Sequence, residues 1–112
     1  MSREPFAIDA VLAMNADADA DPRAPGGEVT VALCGHWEHE GACRWPHNSR
    51  LETDTDAARL RTVVVAPGDE HEEIARRVEL GLRADGRWVV MQFATGVIAE
   101  DERELADRLA RS

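Results

Sequence analysis

Five residues that bind metal ions well lie within one short segment of this chain. The 14 residues from Cys34 to His47 hold both cysteines and three of the four histidines. An even distribution would place roughly 0.75 of such a residue in a window of that length. Thiolate and imidazole are the protein ligands that zinc prefers, with bonds of about 2.0 to 2.3 Å. Because four such groups in one segment can close a tetrahedral shell, the sequence predicts a zinc site.

The predicted zinc ligands are Cys34, His36, Cys43 and His47, and His39 is an alternate ligand. Their spacing, C-x-H-x6-C-x3-H, matches neither paired C-x2-C motifs nor the C2H2 finger, so the prediction depends on clustering alone. We expect the two thiolates to be indispensable, because they supply the negative charge that a zinc site needs. A closed site of four ligands would be structural and would stabilise a surface for a protein partner.

Three interpretations without zinc remain open for the same segment. Cys34 and Cys43 could form a disulfide, or they could be small buried residues beside solvated histidines. In the third interpretation, Arg44 or a charged histidine activates Cys43 as a reactive thiol. The clustering of the five residues does not discriminate among these interpretations.

Two other functions compete with a structural zinc protein. In a hydrolase-type metalloenzyme, three of the residues would bind zinc and a water molecule would hold the fourth position. The proton carrier would then be one of three neighbouring side chains, Glu38, Glu40 or His39. The other alternative is a metal-free interaction module that binds a basic protein through its acidic surface.

The composition excludes several classes of partner. The chain has 112 residues, 13 arginines without a lysine, and 22 acidic residues, which give a net charge of −9. Such a charge repels phosphate backbones, so nucleic acid is not an expected partner. No apolar run is long enough for a membrane span or a secretory signal, and we expect a cytoplasmic protein with reduced thiols. The absence of lysine is typical of a GC-rich coding sequence and favours a bacterial source.

Hydrophobic periodicity predicts three strands, at 28–34, 60–66 and 87–94, and two helices, at 69–85 and 100–110. The first helix should be capped by Asp69, and the third strand should be covered on both faces. Strand, helix and strand in succession favour a parallel pair joined by a crossover, although an antiparallel return is possible. The order β, long loop, β, α, β, α predicts an α/β fold, with α+β as the alternative, in which two helices pack on a three-stranded sheet.

The chain should divide into an N-terminal segment and one domain. Residues 1–27 combine an apolar helix or strand at 5–14 with a flexible acidic linker, and residues 28–112 form the α/β domain. About 25 residues separate the first two predicted strands, more than compact domains usually carry as bare loop. The Cys/His-rich loop 34–50 lies there, so we expect a metal to fasten it to the sheet.

Overall fold

A computed structural model describes residues 3–14, 24–34, 45–53 and 57–111 of the chain. These residues form four strands and three helices. The strands are β1 (Arg3–Met14), β2 (His47–Thr53), β3 (Ala58–Pro67) and β4 (Trp88–Gly96). The helices are α1 (Ala24–Cys34), α2 (His71–Ala84) and α3 (Arg103–Ala110). The α/β class is confirmed, but the predicted count of three strands and two helices is wrong.

All neighbouring strands of the sheet are antiparallel, in the order β2-β3-β1-β4. Because β1 is antiparallel to both β3 and β4, these two strands run in the same direction, but they are not neighbours. The predicted parallel pair is therefore wrong. A β-α-β unit is nevertheless present, and it is split by β1. Two such interlocked units, β1-α1-β2 and β3-α2-β4, give the arrangement called ferredoxin-like.

The alternation of side chains along the central strands separates two apolar clusters. Even-numbered residues of β1 and β3, such as Ile8, Leu12 and Val64, join the main core with α1 and α2. Odd-numbered residues of β3, Val63 and Val65, face the other side and contact α3. Successive residues of a strand point to opposite faces, so α1 and α2 cover one face of the sheet and α3 covers part of the other.

Residues 28–34 belong to helix α1, so the strand predicted there is wrong. Pro25 lies in the first turn, where a helix tolerates proline because that amide has no intrahelical partner. Val29 and Leu33, four residues apart, are buried against the core, whereas Val31 is 39% exposed. A half-buried strand would have buried Val31 together with Val29. Tertiary packing of one helical face has therefore overridden the strand preference of the β-branched residues.

Strand β2 begins inside the predicted Cys/His-rich loop, at His47. Its sequence, HNSRLET, has one large apolar residue, Leu51, which packs partly against the core. An edge strand needs little apolar surface, since one side of it pairs and the other faces solvent. Because β2 begins at His47, only residues 35–46 separate it from α1. The predicted loop is therefore shorter than expected, and its length alone does not require a metal.

Helix α2 confirms the predicted apolar stripe of Ile74, Val78 and Leu82, all fully buried. The predicted cap is wrong, because the helix follows a 3₁₀ turn, Gly68–Glu70, and its first turn has no side-chain cap. Glutamate and arginine four residues apart predict three ion pairs on the outer face of this helix, and two of them form, Glu73 with Arg77 and Glu79 with Arg83. Arg76 binds Glu73 at 2.7 Å instead of the expected Glu72.

Strand β4 is confirmed, but its faces differ from the prediction. The register with β1 shifts between Val11 and Leu12, which pair with Gln92 and Val90, so Met91 is the extra residue of a β-bulge. The bulge places Phe93 on the same side as Trp88 and Val90, in the main core. Val89 and Met91 remain 62% and 61% exposed. The expectation that both faces are covered is therefore wrong.

The C-terminal element is a 3₁₀ turn, Glu100–Glu102, followed by α3. The helical pattern of this segment predicts three inward side chains, and all three pack against β3, with Ala106 buried and Leu105 and Leu109 partly buried. Within the part of the chain that the structure describes, no helix is long and apolar enough to cross a bilayer.

Replacing Ile74 with alanine should lower the free energy of unfolding by about 2 to 5 kcal/mol. Ile74 is fully buried between α2 and the sheet, so its loss removes apolar contacts and leaves a cavity. Leu80→Ala is a matched control on the same helix, because Leu80 is 56% exposed and its replacement should change stability by less than about 0.5 kcal/mol. Urea denaturation measures both variants, and equal effects would contradict this burial pattern.

Candidate metal centre

The predicted ligands divide between described and undescribed parts of the chain. His36, His39 and Cys43 lie outside the described residues, and only the backbone of Cys34 is described. His47, the first residue of β2, is described with its side chain. The two ends of the segment from Cys34 to His47 therefore lie on regular elements, because Cys34 is the last residue of α1 and His47 is the first residue of β2.

The imidazole of His47 is held in a form that suits zinc binding. Its Nδ1 lies 3.0 Å from the carbonyl oxygen of Trp45, and since a carbonyl only accepts, Nδ1 must carry the proton. In the neutral ring, Nε2 then has the lone pair that a metal requires. A ring N–H donated to a backbone carbonyl is also the contact that commonly orients a metal-binding histidine.

Thr30 connects His47 to helix α1. The hydroxyl of Thr30 lies 3.2 Å from Nε2 of His47 and 3.2 Å from the carbonyl oxygen of Gly26. This hydroxyl meets the lone pair of Nε2, so it would have to move aside and donate to Gly26 alone when Nε2 binds a metal. Cys34 follows Thr30 by four residues, which is one helical turn or about 6 Å along the axis. The ring of His47 therefore lies against α1 about one helical turn before the backbone of Cys34.

Trp45 fastens the chain immediately before β2. Its ring is 2% exposed and belongs to the main core, and its indole N–H donates to Glu70 at 3.4 Å. The guanidinium of Arg77 lies 4.9 Å from the centre of the ring. Trp45 therefore has an ordinary core role and holds the segment against α2. Trp37, the second tryptophan of the cluster, lies outside the described residues.

His71 is separate from this region. Its ring stacks on Phe6 at 4.1 Å between centres, and its Nε2 lies 3.0 Å from two carbonyl oxygens, those of Glu4 and Ala66. A histidine in the first turn of this helix, away from the cluster in sequence, is expected to be exposed, and this expectation is wrong because the side chain is half-buried. These contacts give His71 a structural role, in which it joins the start of α2 to β1 and β3.

Among the described residues, no three histidine, cysteine, aspartate or glutamate side chains lie together in a way that could hold a metal ion. Four of the five predicted ligand side chains are outside those residues. The finding therefore does not test the predicted cluster.

The sequence interpretation missed a group of charged residues on the face covered by α3. Arg61 of β3 binds Glu102, which is only 4% exposed, and also Asp9 of β1. Arg61 was included in a nearly apolar strand and received no role. A single charged residue within a buried strand was the available signal, since buried charges require partners.

Comparison with known protein families finds no family that matches this chain, and comparison with curated proteins finds no significant relative. Function must therefore be argued from the chain's own residues.

Proposed function

We propose that this chain is a small cytoplasmic zinc-binding protein whose metal is structural. Cys34, His36, Cys43 and His47 would close a tetrahedral shell, with His39 as the alternate ligand. The metal would fasten residues 35–46 between α1 and β2 and hold them as a surface for a protein partner. Reduced thiols in the cytoplasm would keep both cysteines available to the metal.

The observation that supports this proposal most is the packing of the last candidate ligand, His47, against the helix that ends at the first, Cys34. The contact between Thr30 and His47 brings β2 against α1 one turn before Cys34. The two outermost candidate ligands are therefore anchored on regular elements, which position ligands better than a free loop does. The Nδ1–H of His47, donated to Trp45, adds the orienting contact that zinc-binding histidines generally have.

Elemental analysis of protein purified without chelators tests the proposal directly. We expect about one zinc ion per chain, with all four ligands from the protein. Removal of the metal should loosen the segment from α1 to β2, because metal-binding free energy contributes to folding. Metal-free protein with unchanged hydrogen exchange in Leu33 and residues 45–50 would contradict a structural role.

Cobalt substitution distinguishes this proposal from the metalloenzyme alternative. A closed site with two thiolates should give the intense absorption of tetrahedral sulfur-ligated cobalt, unchanged by added anions. A site with three protein ligands would exchange its water and respond to anions. An anion-sensitive spectrum would exclude the closed site and favour a catalytic one.

A further inference from the structure

The sheet face beneath α3 carries two arginines side by side. Arg61 of β3 pairs with Arg50 of β2 and with Asp9 of β1. Directly paired residues of antiparallel strands project to the same face, and like charges there repel. Asp9 contacts Arg61 at 2.5 Å but is 40% exposed. The two guanidinium groups therefore favour a further carboxylate that comes from outside the sheet.

Glu102, in the turn before α3, supplies this carboxylate. It accepts two hydrogen bonds from Arg61, from Nε at 3.0 Å and from the terminal nitrogen at 2.5 Å. Arg50 lies 3.9 Å away, and the backbone N–H of Ala99 donates at 2.8 Å. Bidentate arginine–carboxylate pairs are strong and geometrically specific. The bond to Arg61 lowers the pKa of Glu102 to about 2, so the carboxylate is charged at neutral pH.

The apolar part of the α3 contact is small. Ala106 is buried against Val63 and Val65, whereas Leu105, Leu109 and Ile98 are only partly buried there. Helix α3 has eight residues, fewer than the roughly 12 to 15 that an isolated helix needs to be even marginally stable. Its helical form therefore depends on docking. The C-terminal segment resembles a bound peptide, with one charged anchor and a short apolar stripe.

The surface continues beyond the part that α3 covers. A pocket of about 350 Å³ opens beside Arg59 and is lined also by Val11 and Glu52. Arg59 and Val11 form a cross-strand pair and Glu52 pairs with Arg59, in the row next to Arg61. Among the described residues, no part of α3 lines this pocket. A helix longer than α3 could therefore gain contacts there that the chain's own helix does not make.

We propose that the outer face of β2 and β3 is a docking surface for an acidic amphipathic helix of a partner protein, and that α3 occupies this surface as an intramolecular competitor. The partner helix carries a carboxylate that binds Arg61 and Arg50, followed by leucine and alanine on one face, and it begins at least one turn before that carboxylate so that it reaches Arg59. Displacement of α3 exposes Val63 and Val65 to the incoming helix. Amphipathic helices that bind in a groove contact it through residues spaced three and four positions apart, which is also the spacing of the contact residues on α3.

A labelled peptide with the sequence of residues 97–112 tests this surface on the full-length chain by fluorescence anisotropy. Wild-type protein should bind the peptide weakly, because α3 occupies the surface. Glu102→Gln weakens the intramolecular helix while the peptide keeps its own carboxylate, so we expect at least tenfold tighter binding. Glu104→Gln is the matched control, since Glu104 is exposed on the same helix, and it should bind as the wild type does.

A second variant identifies the receptor side of the contact. Adding Arg61→Gln to Glu102→Gln should abolish the gain, while hydrogen exchange of α2 shows that the core remains folded. If α3 of Glu102→Gln exchanges faster but peptide affinity equals that of the wild type, the surface is not a helix receptor. If α3 of Glu102→Gln stays protected, the charged anchor does not control the competitor. Either result overturns the proposal.

Discussion

Replacing Cys34 or Cys43 with serine should yield protein that purifies without zinc. Each change removes a thiolate, and a site with one sulfur and two imidazoles loses the charge that holds zinc against water. Metal content by mass spectrometry should fall from about one zinc per chain to near zero, a change of at least tenfold. His71→Ala is the matched control, because His71 is engaged with Phe6 and lies away from the cluster.

The same cysteine variants should show where the metal acts. Hydrogen exchange should accelerate around Leu33 and residues 45–50, which flank the predicted ligands, whereas α2 and β4 should keep their protection because neither element carries a predicted ligand. Among the histidines, replacing His36 or His47 should weaken zinc binding strongly and replacing His39 should have little effect. Unchanged metal content in both cysteine variants would end the zinc proposal, and the opposite ranking would reassign the histidine ligands.

Replacing Arg61 with leucine should weaken the docking of α3 by about 3 kcal/mol. The change leaves Glu102, which is 4% exposed, without its bidentate partner, and Arg50 at 3.9 Å compensates only in part. Protection of the α3 amides against hydrogen exchange should fall about 100-fold, since 3 kcal/mol corresponds to slightly more than two powers of ten. The core helices should not change.

A double variant tests the reason for that loss. Arg61→Leu with Glu102→Leu replaces the ion pair by apolar groups, which is often neutral or stabilising when a buried pair is removed as a whole. Much of the protection of α3 should therefore return, as Asp9 and Arg50 are 40% and 56% exposed and reach water. If Arg61→Leu alone protects α3 as well as the wild type does, the ion pair contributes nothing to docking.

The elements with a strong periodic pattern were predicted well from the sequence. Helix α2 repeats Ile74, Val78 and Leu82 at the helical interval, and β3 is a run of valines that stops at Pro67 and Gly68. The α3 stripe was equally legible. In each case a single buried face lies within one continuous segment, so local residue order was sufficient to identify the element.

Elements whose burial depends on residues far away in the sequence were predicted wrongly. The alternation in residues 28–34 suits a strand, but the sheet already has β1 beside β3, and the segment packs on it as α1. The short polar strand β2 has no periodicity of its own and is defined by its pairing with β3. The bulge at Met91 is similar, since only the register with β1 shows which side Phe93 faces.

The chemistry of the chain also depends partly on the sequence alone and partly on the tertiary structure. The clustering of cysteine and histidine between Cys34 and His47 is a property of residue order, and no fold is needed to see it. That β2 lies against α1 one turn before Cys34 was decided by tertiary packing, through the contacts of His47 with Thr30 and Trp45. Arg61 and Glu102 are 41 residues apart, and their contact depends on α3 crossing to the far side of the sheet. The sequence determines which side chains are present, whereas long-range pairing determines which charged side chains come into contact. A charged side chain can be buried on the sheet only where another element supplies its partner.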